Sequence, residues 1–193
     1  MDTRNAVREI IIDTAGSIFA RFGFKKTIMD EIARAVHKAK SSIYHYFQSK
    51  EEIFQAIVTK EGAMLKREIK NAIASEDNPQ KKLRAYVITR MHILRRLANL
   101  YSALKDEYLQ HYGFIEKIRK EYDRTETALV KEILRDGVEK GMFMVKNLDL
   151  TANAIIVALK AFEYPWTKEE NISKIEQDID VLLGVLFYGL VKR

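Results

Sequence analysis

Apolar residues along this chain recur at steps of three and four, and no stretch alternates apolar with polar in the manner of a strand. Such steps bring side chains onto one face of a helical turn, so the pattern predicts an all-α fold. Val7, Ile11, Ala15, Ile18 and Phe22 form one stripe of a first helix, which Gly23 can end in a left-handed cap. Thr27-Ile28-Met29-Asp30 has the layout of an acidic capping box, with the Thr27 hydroxyl taking an orphan amide proton and Met29, Ile32, Ala33 and Val36 facing inward on a short second helix. Ser49-Lys50-Glu51-Glu52 repeats that signature and opens a longer helix. Only residues 36–48 lie between the two, room for a turn and one short third helix.

Beyond Asp77-Asn78-Pro79 the helices lengthen. Pro79 fits the first helical position and Asn78 the cap. Helices are expected over 79–109 with a weak point at 99–102, over 114–140, over 149–163 and over 168–191, with Tyr164-Pro165-Trp166 separating the last two. The architecture is then about nine helices: a three-helix head in residues 1–50, a connecting helix over about 50–72, and a larger bundle within 51–193. Only two prolines and eight glycines punctuate the chain, which favours long helices.

Composition narrows the classes. With 193 residues and 47% apolar content the chain can bury a sizeable core. The absence of cysteine excludes disulfides, thiolate nucleophiles and cysteine zinc sites, and suits a reducing compartment. Acids and arginines occupy the N-terminal stretch where a secretion signal needs an apolar run, and the longest uncharged run, residues 181–191, is too short to span a bilayer. A cytoplasmic protein with no membrane partner is expected. The net charge is +6, and residues 1–50 hold nine Lys and Arg against five Asp and Glu. Charge alone fits a solvated basic face at least as well as an acidic partner.

Spacing decides. A short helix, a tight turn and a second short helix packed on a longer first one make a helix-turn-helix, whose second helix can enter the DNA major groove. The stretch AKSSIYHYFQSKEEIF over 39–54 supplies that helix. Ile43 and Phe47 share the stripe that packs inward; Lys40 and Tyr44 share the next, Ser41 and His45 the one beyond, and Ser42 and Tyr46 the far edge. Lysine can donate to guanine O6 and N7, serine can pair with several base edges, and tyrosine can pack on a thymine methyl while its hydroxyl reaches phosphate. Lys50, at the start of the fourth helix, can pair with a phosphate beside free backbone amides. Tyr46 fits helix packing equally well, and His45 fits a solvated position before it fits a contact.

The run IARAVHKAKSSIYHYFQSKEEIF resembles the DNA-binding signature of the TetR family of bacterial transcriptional regulators, close to IAxxAGVSKGTLYxYFxSKEEL. Upstream, AGSIFARFGFKKTIMDEIA resembles the family's A-x-x-L-F-x-x-x-G-(F/Y)-x-x-T-(T/S)-(M/V)-x-x-I-A, so the resemblance spans about residues 10–54. It implies that Thr27, Ser42, Tyr46 and Lys50 touch phosphates and that Lys40, Ser41 and Tyr44 approach bases of a double-stranded operator. In the turn His37 and Lys38 stand where the family has Gly and Val; histidine accepts positive φ at greater cost than glycine, and Lys38 is free to add a phosphate contact.

The resemblance further implies a C-terminal domain that binds a small effector and dimerises through its last two helices. Both have apolar faces: Ala154, Ala158 and Phe162 on one, and Ile179, Leu183, Leu186 and Leu190 on the other, are candidate contacts of a four-helix homodimer interface. Ordinary core accounts for part of each face. One short recognition helix gives weak specificity, which favours a dimer on a palindromic operator. Tyr86, His92, Tyr101, Tyr108, His111, Tyr112 and Tyr122 belong to an aromatic-rich set that either lines a pocket for a lipophilic effector or is simply core.

The usual catalytic motifs are absent, and Glu107 with His111 is a ligand pair without a third member. The expectation is therefore no enzyme, no cofactor and no metal, but a ligand-responsive repressor. The rival class is a helical small-molecule carrier or protein-interaction module without specific DNA binding.

Overall fold

In a computed structural model, the structure describes residues 3–189, except for the side chains of Thr3, Leu104, Glu107, Tyr108, Tyr164, Thr167 and Lys168. These residues form α1 (Thr3–Phe22), α2 (Met29–Ala35), α3 (Lys40–Tyr44), α4 (Lys50–Ala74), α5 (Pro79–Arg96), α6 (Ala98–Lys105), a 3-10 turn (Glu107–His111), α7 (Gly113–Glu139), α8 (Leu148–Lys168) and α9 (Ile172–Tyr188). No strand occurs among the described residues. The chain divides into two compact units, Met1–Met64 with Leu97–Lys117, and Leu65–Arg96 with Ile118–Arg193.

In the first unit α1 buries Ile11, Ile12, Ala15 and Phe19, whereas Phe22, expected to close the stripe, is 53% exposed. The chain turns immediately after it at Gly23, at φ 80°, and Phe24 folds inward in its place. Its ring lies 5.7 Å from that of Phe19 and 4.9 Å from that of Phe54. The same reversal carries Thr27 inside, where its hydroxyl donates to the Gly23 carbonyl at 2.9 Å. Thr27 therefore does not cap α2. Ile28 holds that position, and its N–H donates to the Glu31 carboxylate at 3.0 Å.

The second cap follows expectation. Ser49 Oγ accepts from the Glu52 N–H at 3.3 Å, and the Glu52 carboxylate accepts from the Gln48 N–H at 2.6 Å. Further along, α5 ends at Arg96, slightly before the expected weak point. There the half-buried Glu61 carboxylate of α4 accepts from the Leu100 N–H at 2.6 Å and from the Asn99 amide at 2.7 Å, capping α6 from outside. Asn99 also donates to the Gly16 carbonyl at 3.1 Å, so one polar knot joins α1, α4 and α6. Burial raises the Glu61 pKa, and these hydrogen bonds oppose the rise.

In the second unit α5 packs on α8 and α9. Asn78 Oδ1 accepts from Gln80 and Lys81 N–H groups at 2.8 and 3.2 Å, so α5 starts at Pro79 as its sequence indicates. Tyr164-Pro165-Trp166 does not separate α8 from α9: α8 runs through Pro165 to Lys168. Pro165 lacks the N–H that would bond the Ala161 carbonyl, and the helix nonetheless continues through its last turn to Lys168. Buried Trp166 stacks on Phe162 at 5.0 Å and holds that turn in register. Asn147 and Asn171 cap α8 and α9, accepting from Leu150 N–H at 3.0 Å and Lys174 N–H at 3.3 Å.

At the centre of this unit lies a polar cluster. Arg90 is fully buried, and its guanidinium donates to both Glu126 and Glu163, themselves 4% and 2% exposed. The hydroxyls of Tyr86 and Tyr122 donate to the same Glu126 oxygen at 2.8 and 3.0 Å. Burial pushes both phenols well above their ordinary range, so each stays a donor. α5, α7 and α8 are thereby tied through one guanidinium.

Candidate nucleic-acid interface

The helix-turn-helix is built from α2 and α3, and its turn explains why the sequence tolerates a departure there. His37 lies at φ 53°, the left-handed region. The Lys38 N–H donates to the Ala33 carbonyl at 3.0 Å and the His37 N–H to the Arg34 carbonyl at 3.1 Å, a Schellman closure of α2. Histidine in place of glycine costs about 1 kcal/mol here, which the closure tolerates without losing its hydrogen bonds. Lys38 is exposed, outside the core that a valine would join.

α3 is then held by two residues. Ile43 and Phe47 are both completely buried, and the Arg8 guanidinium lies 4.9 Å from the centroid of the Phe47 ring. The remaining faces of α3 point away from that anchor: Lys40, Ser41, Tyr44 and His45 are exposed, and Ser42 and Tyr46 are half-buried. The structure thus groups a cation, two serine hydroxyls, two phenols and an imidazole on the outer side of one short segment. Their donors and acceptors suit base edges and phosphates.

Two predicted phosphate contacts are altered. The Thr27 side chain is fully buried and engaged with Gly23, so its hydroxyl is not presented to a duplex. Lys50 spends two donors inside the head, on the Phe24 carbonyl at 3.0 Å and the Thr27 carbonyl at 3.2 Å, and its ammonium lies 4.5 Å from the Phe24 ring centroid. An ammonium has three donors, so one direction remains for a phosphate. Lys50 is first of all the clamp that fixes the loop between α1 and α2.

Asp30 lies in the first turn of α2, where its sequence position suggests a part in the cap. Its carboxylate instead pairs with Lys40 at 2.7 Å. The available signal was its place in the first turn of α2, opposite the start of α3.

The predicted effector set is divided between the two units. Tyr86, His92 and Tyr122 belong to one unit, and Tyr101, His111 and Tyr112 to the other. Tyr86 and Tyr122 meet on Glu126, and His92 Nε2 faces Glu176 at 3.5 Å. Tyr112 packs edge-on against Phe24 at 5.3 Å, a core role, and His111 is exposed. The Tyr108 side chain lies outside the described residues.

The predicted dimer contacts divide in the same way. Ile179 and Leu183 are buried within the protomer, at 0% and 4% exposure, because their stripe of α9 faces its own core. Ala154, Phe162 and Leu186 are exposed and Ala158 half-buried. The uncovered apolar faces also include Val157 on α8 and Val181, Val185 and Tyr188 on α9. Leu190 lies outside the described residues. No described helix is long and apolar enough to cross a membrane, and no group of potential metal ligands occurs among the described residues.

An anchored three-helix head with an exposed polar second helix defines a helix-turn-helix protein. Residues 11–57 match the family model of bacterial regulatory proteins, tetR family. The chain is 22% identical over 189 residues to an uncharacterised HTH-type transcriptional regulator, YhgD, of Bacillus subtilis (strain 168), across 96% of this chain and 95% of that one. With the probable acrEF/envCD operon repressor of Escherichia coli (strain K12) it shares 24% identity over 155 residues, 78% of this chain and 70% of the relative. The structure of AibR in complex with isovaleryl coenzyme A and operator DNA matches in fold with a TM-score of 0.71 at 21% identity, over 94% of this chain and 98% of that one.

Proposed function

We propose that this chain is a sequence-specific DNA-binding regulator, a homodimeric repressor that a small lipophilic effector releases from a palindromic operator. The observation that carries the reading is the division of labour on α3: Ile43 and Phe47 wholly buried, Lys40, Ser41, Tyr44 and His45 exposed. Lys40, Ser41 and Tyr44 are assigned to bases, and Ser42, Tyr46 and the remaining donor of Lys50 to phosphates. DNA recognition is assigned to residues 1–50, and effector binding and dimerisation to 51–193. The exposed apolar residues of α8 and α9 are the surface offered to the second copy, which sets two recognition helices at a fixed spacing.

A relative described as an operon repressor and a structural neighbour holding operator DNA and an acyl coenzyme A support the repressor and effector parts. The protein then acts by binding rather than catalysis, in the cytoplasm with the chromosome. The effector works through its differential affinity for the DNA-competent and released states.

Selection of bound duplexes from a random pool tests the reading. The expected winner is an inverted repeat, bound at least a thousandfold (order of magnitude) more tightly than scrambled duplex, and released by short or long acyl coenzyme A. A pool that stays random after selection, with acyl ligands nonetheless retained, would favour the carrier class instead.

A further inference from the structure

Lys40 opens α3, and its ammonium group lies 2.7 Å from Oδ1 of Asp30, in the first turn of α2. Both side chains are about half exposed, 54% and 51%. The hydrogen bond to Asp30, and then the charge of Asp30, raise the Lys40 pKa. The capping duty in this turn falls to Glu31, and Arg34 Nε reaches Asp30 only at its backbone carbonyl, at 3.4 Å. An exposed ion pair of this kind contributes little to stability. Its consequence lies in what the lysine can do next.

We propose that Asp30 is a specificity-determining positioning residue: it holds Lys40 against α2 and withholds its charge from the phosphates of non-operator DNA. The proposal rests on the reading of α3 as the recognition helix. A free lysine near a duplex takes the nearest phosphate, a contact that carries no sequence information. With a carboxylate at 2.7 Å, that lysine is locally neutralised, and the carboxylate itself repels phosphates. A guanine edge offers two acceptors, O6 and N7, and can replace Asp30 as the partner where a phosphate competes poorly. The acid thus lowers binding to wrong sequences more than to the right one, discrimination by a repulsive element. Salt weakens the effect, because the pair is exposed.

The test is Asp30→Asn in the full chain, with affinity measured for the selected operator and for a scrambled duplex of equal length at two salt concentrations. Scrambled-duplex affinity is expected to rise about tenfold and operator affinity by about twofold or less, with the scrambled-duplex salt slope steepening by about one. Asp30→Glu restores the wild-type ratio. In a Lys40→Ala background, Asp30→Asn leaves the ratio of the two affinities unchanged. An equal rise for both duplexes would overturn the proposal, as would an undiminished effect without Lys40. A wild-type chain that prefers no duplex removes the recognition-helix reading and the proposal with it; a wild-type preference untouched by Asp30→Asn removes the proposal alone.

Discussion

Replacing Arg90 with alanine is expected to lower the stability of the folded protein by about 3–5 kcal/mol, a large share of the roughly 5–15 kcal/mol that holds a domain together. The guanidinium is fully buried and serves two buried carboxylates, so its removal takes from both Glu126 and Glu163 the positive charge they share. The tyrosine hydroxyls cannot replace it: they supply two donors to Glu126 but no positive charge. Arg90→Lys keeps the charge but not the fork that reaches both glutamates, and an intermediate loss is expected. The combined variant Arg90→Met, Glu126→Gln, Glu163→Gln removes all the charges together and should recover most of what Arg90→Ala loses. Urea unfolding of the four proteins at neutral pH measures this order. A loss below about 1 kcal/mol for Arg90→Ala would show that water or neighbouring groups already satisfy the carboxylates.

Phe47→Ala is expected to cost about 3–5 kcal/mol as well, through lost burial and the cavity left behind. Its effect should be local. Phe47 is fully buried beside Ile43 and beneath the Arg8 guanidinium, and these are the contacts that set the orientation of α3. Hydrogen exchange should therefore show lost protection over residues 29–47, with the amides of α5, α8 and α9 keeping theirs. Operator binding should fall to the level of scrambled duplex even at temperatures where the variant remains folded. Uniform loss of protection along the chain would contradict a separately anchored recognition helix.

The head was legible in the sequence because its signals are local and redundant. Ile43 and Phe47 one turn apart mark the inward face of the short helix, the Ser49 cap marks the start of α4 and the Gly23 stop the end of α1, and the structure has all of them. Where one local signal stood alone, it misled. Thr27 reads as a cap in isolation, yet the loop folds back at Gly23 and needs that hydroxyl inside. Phe22 reads as the last member of a stripe, yet the reversal one residue later gives its place to Phe24. Pro165 reads as a break, but α8 continues past it to Lys168, with Trp166 stacked on Phe162.

In the rest of the chain periodicity identifies a helix face without saying what covers it. Ile179 and Leu183 share the apolar character of Val181 and Val185, and only their angular position separates core from surface. The tyrosines illustrate the same limit, since Tyr86 and Tyr122 are committed to Glu126 through contacts 40 and 4 residues apart in sequence, and the former leaves no local trace. Asp30 and Lys40, ten residues apart across a turn, are joined only by the tertiary fold.

The account stands on the exposed face of α3 reading bases. The most direct measurement is the ratio of operator to scrambled-duplex affinity for the wild-type chain and for the double variant Lys40→Ala, Tyr44→Ala. Each lost base contact is worth about 1–3 kcal/mol of discrimination, so the ratio should collapse by about a hundredfold while scrambled-duplex affinity changes only severalfold. A ratio that survives both substitutions would mean that α3 does not read the operator.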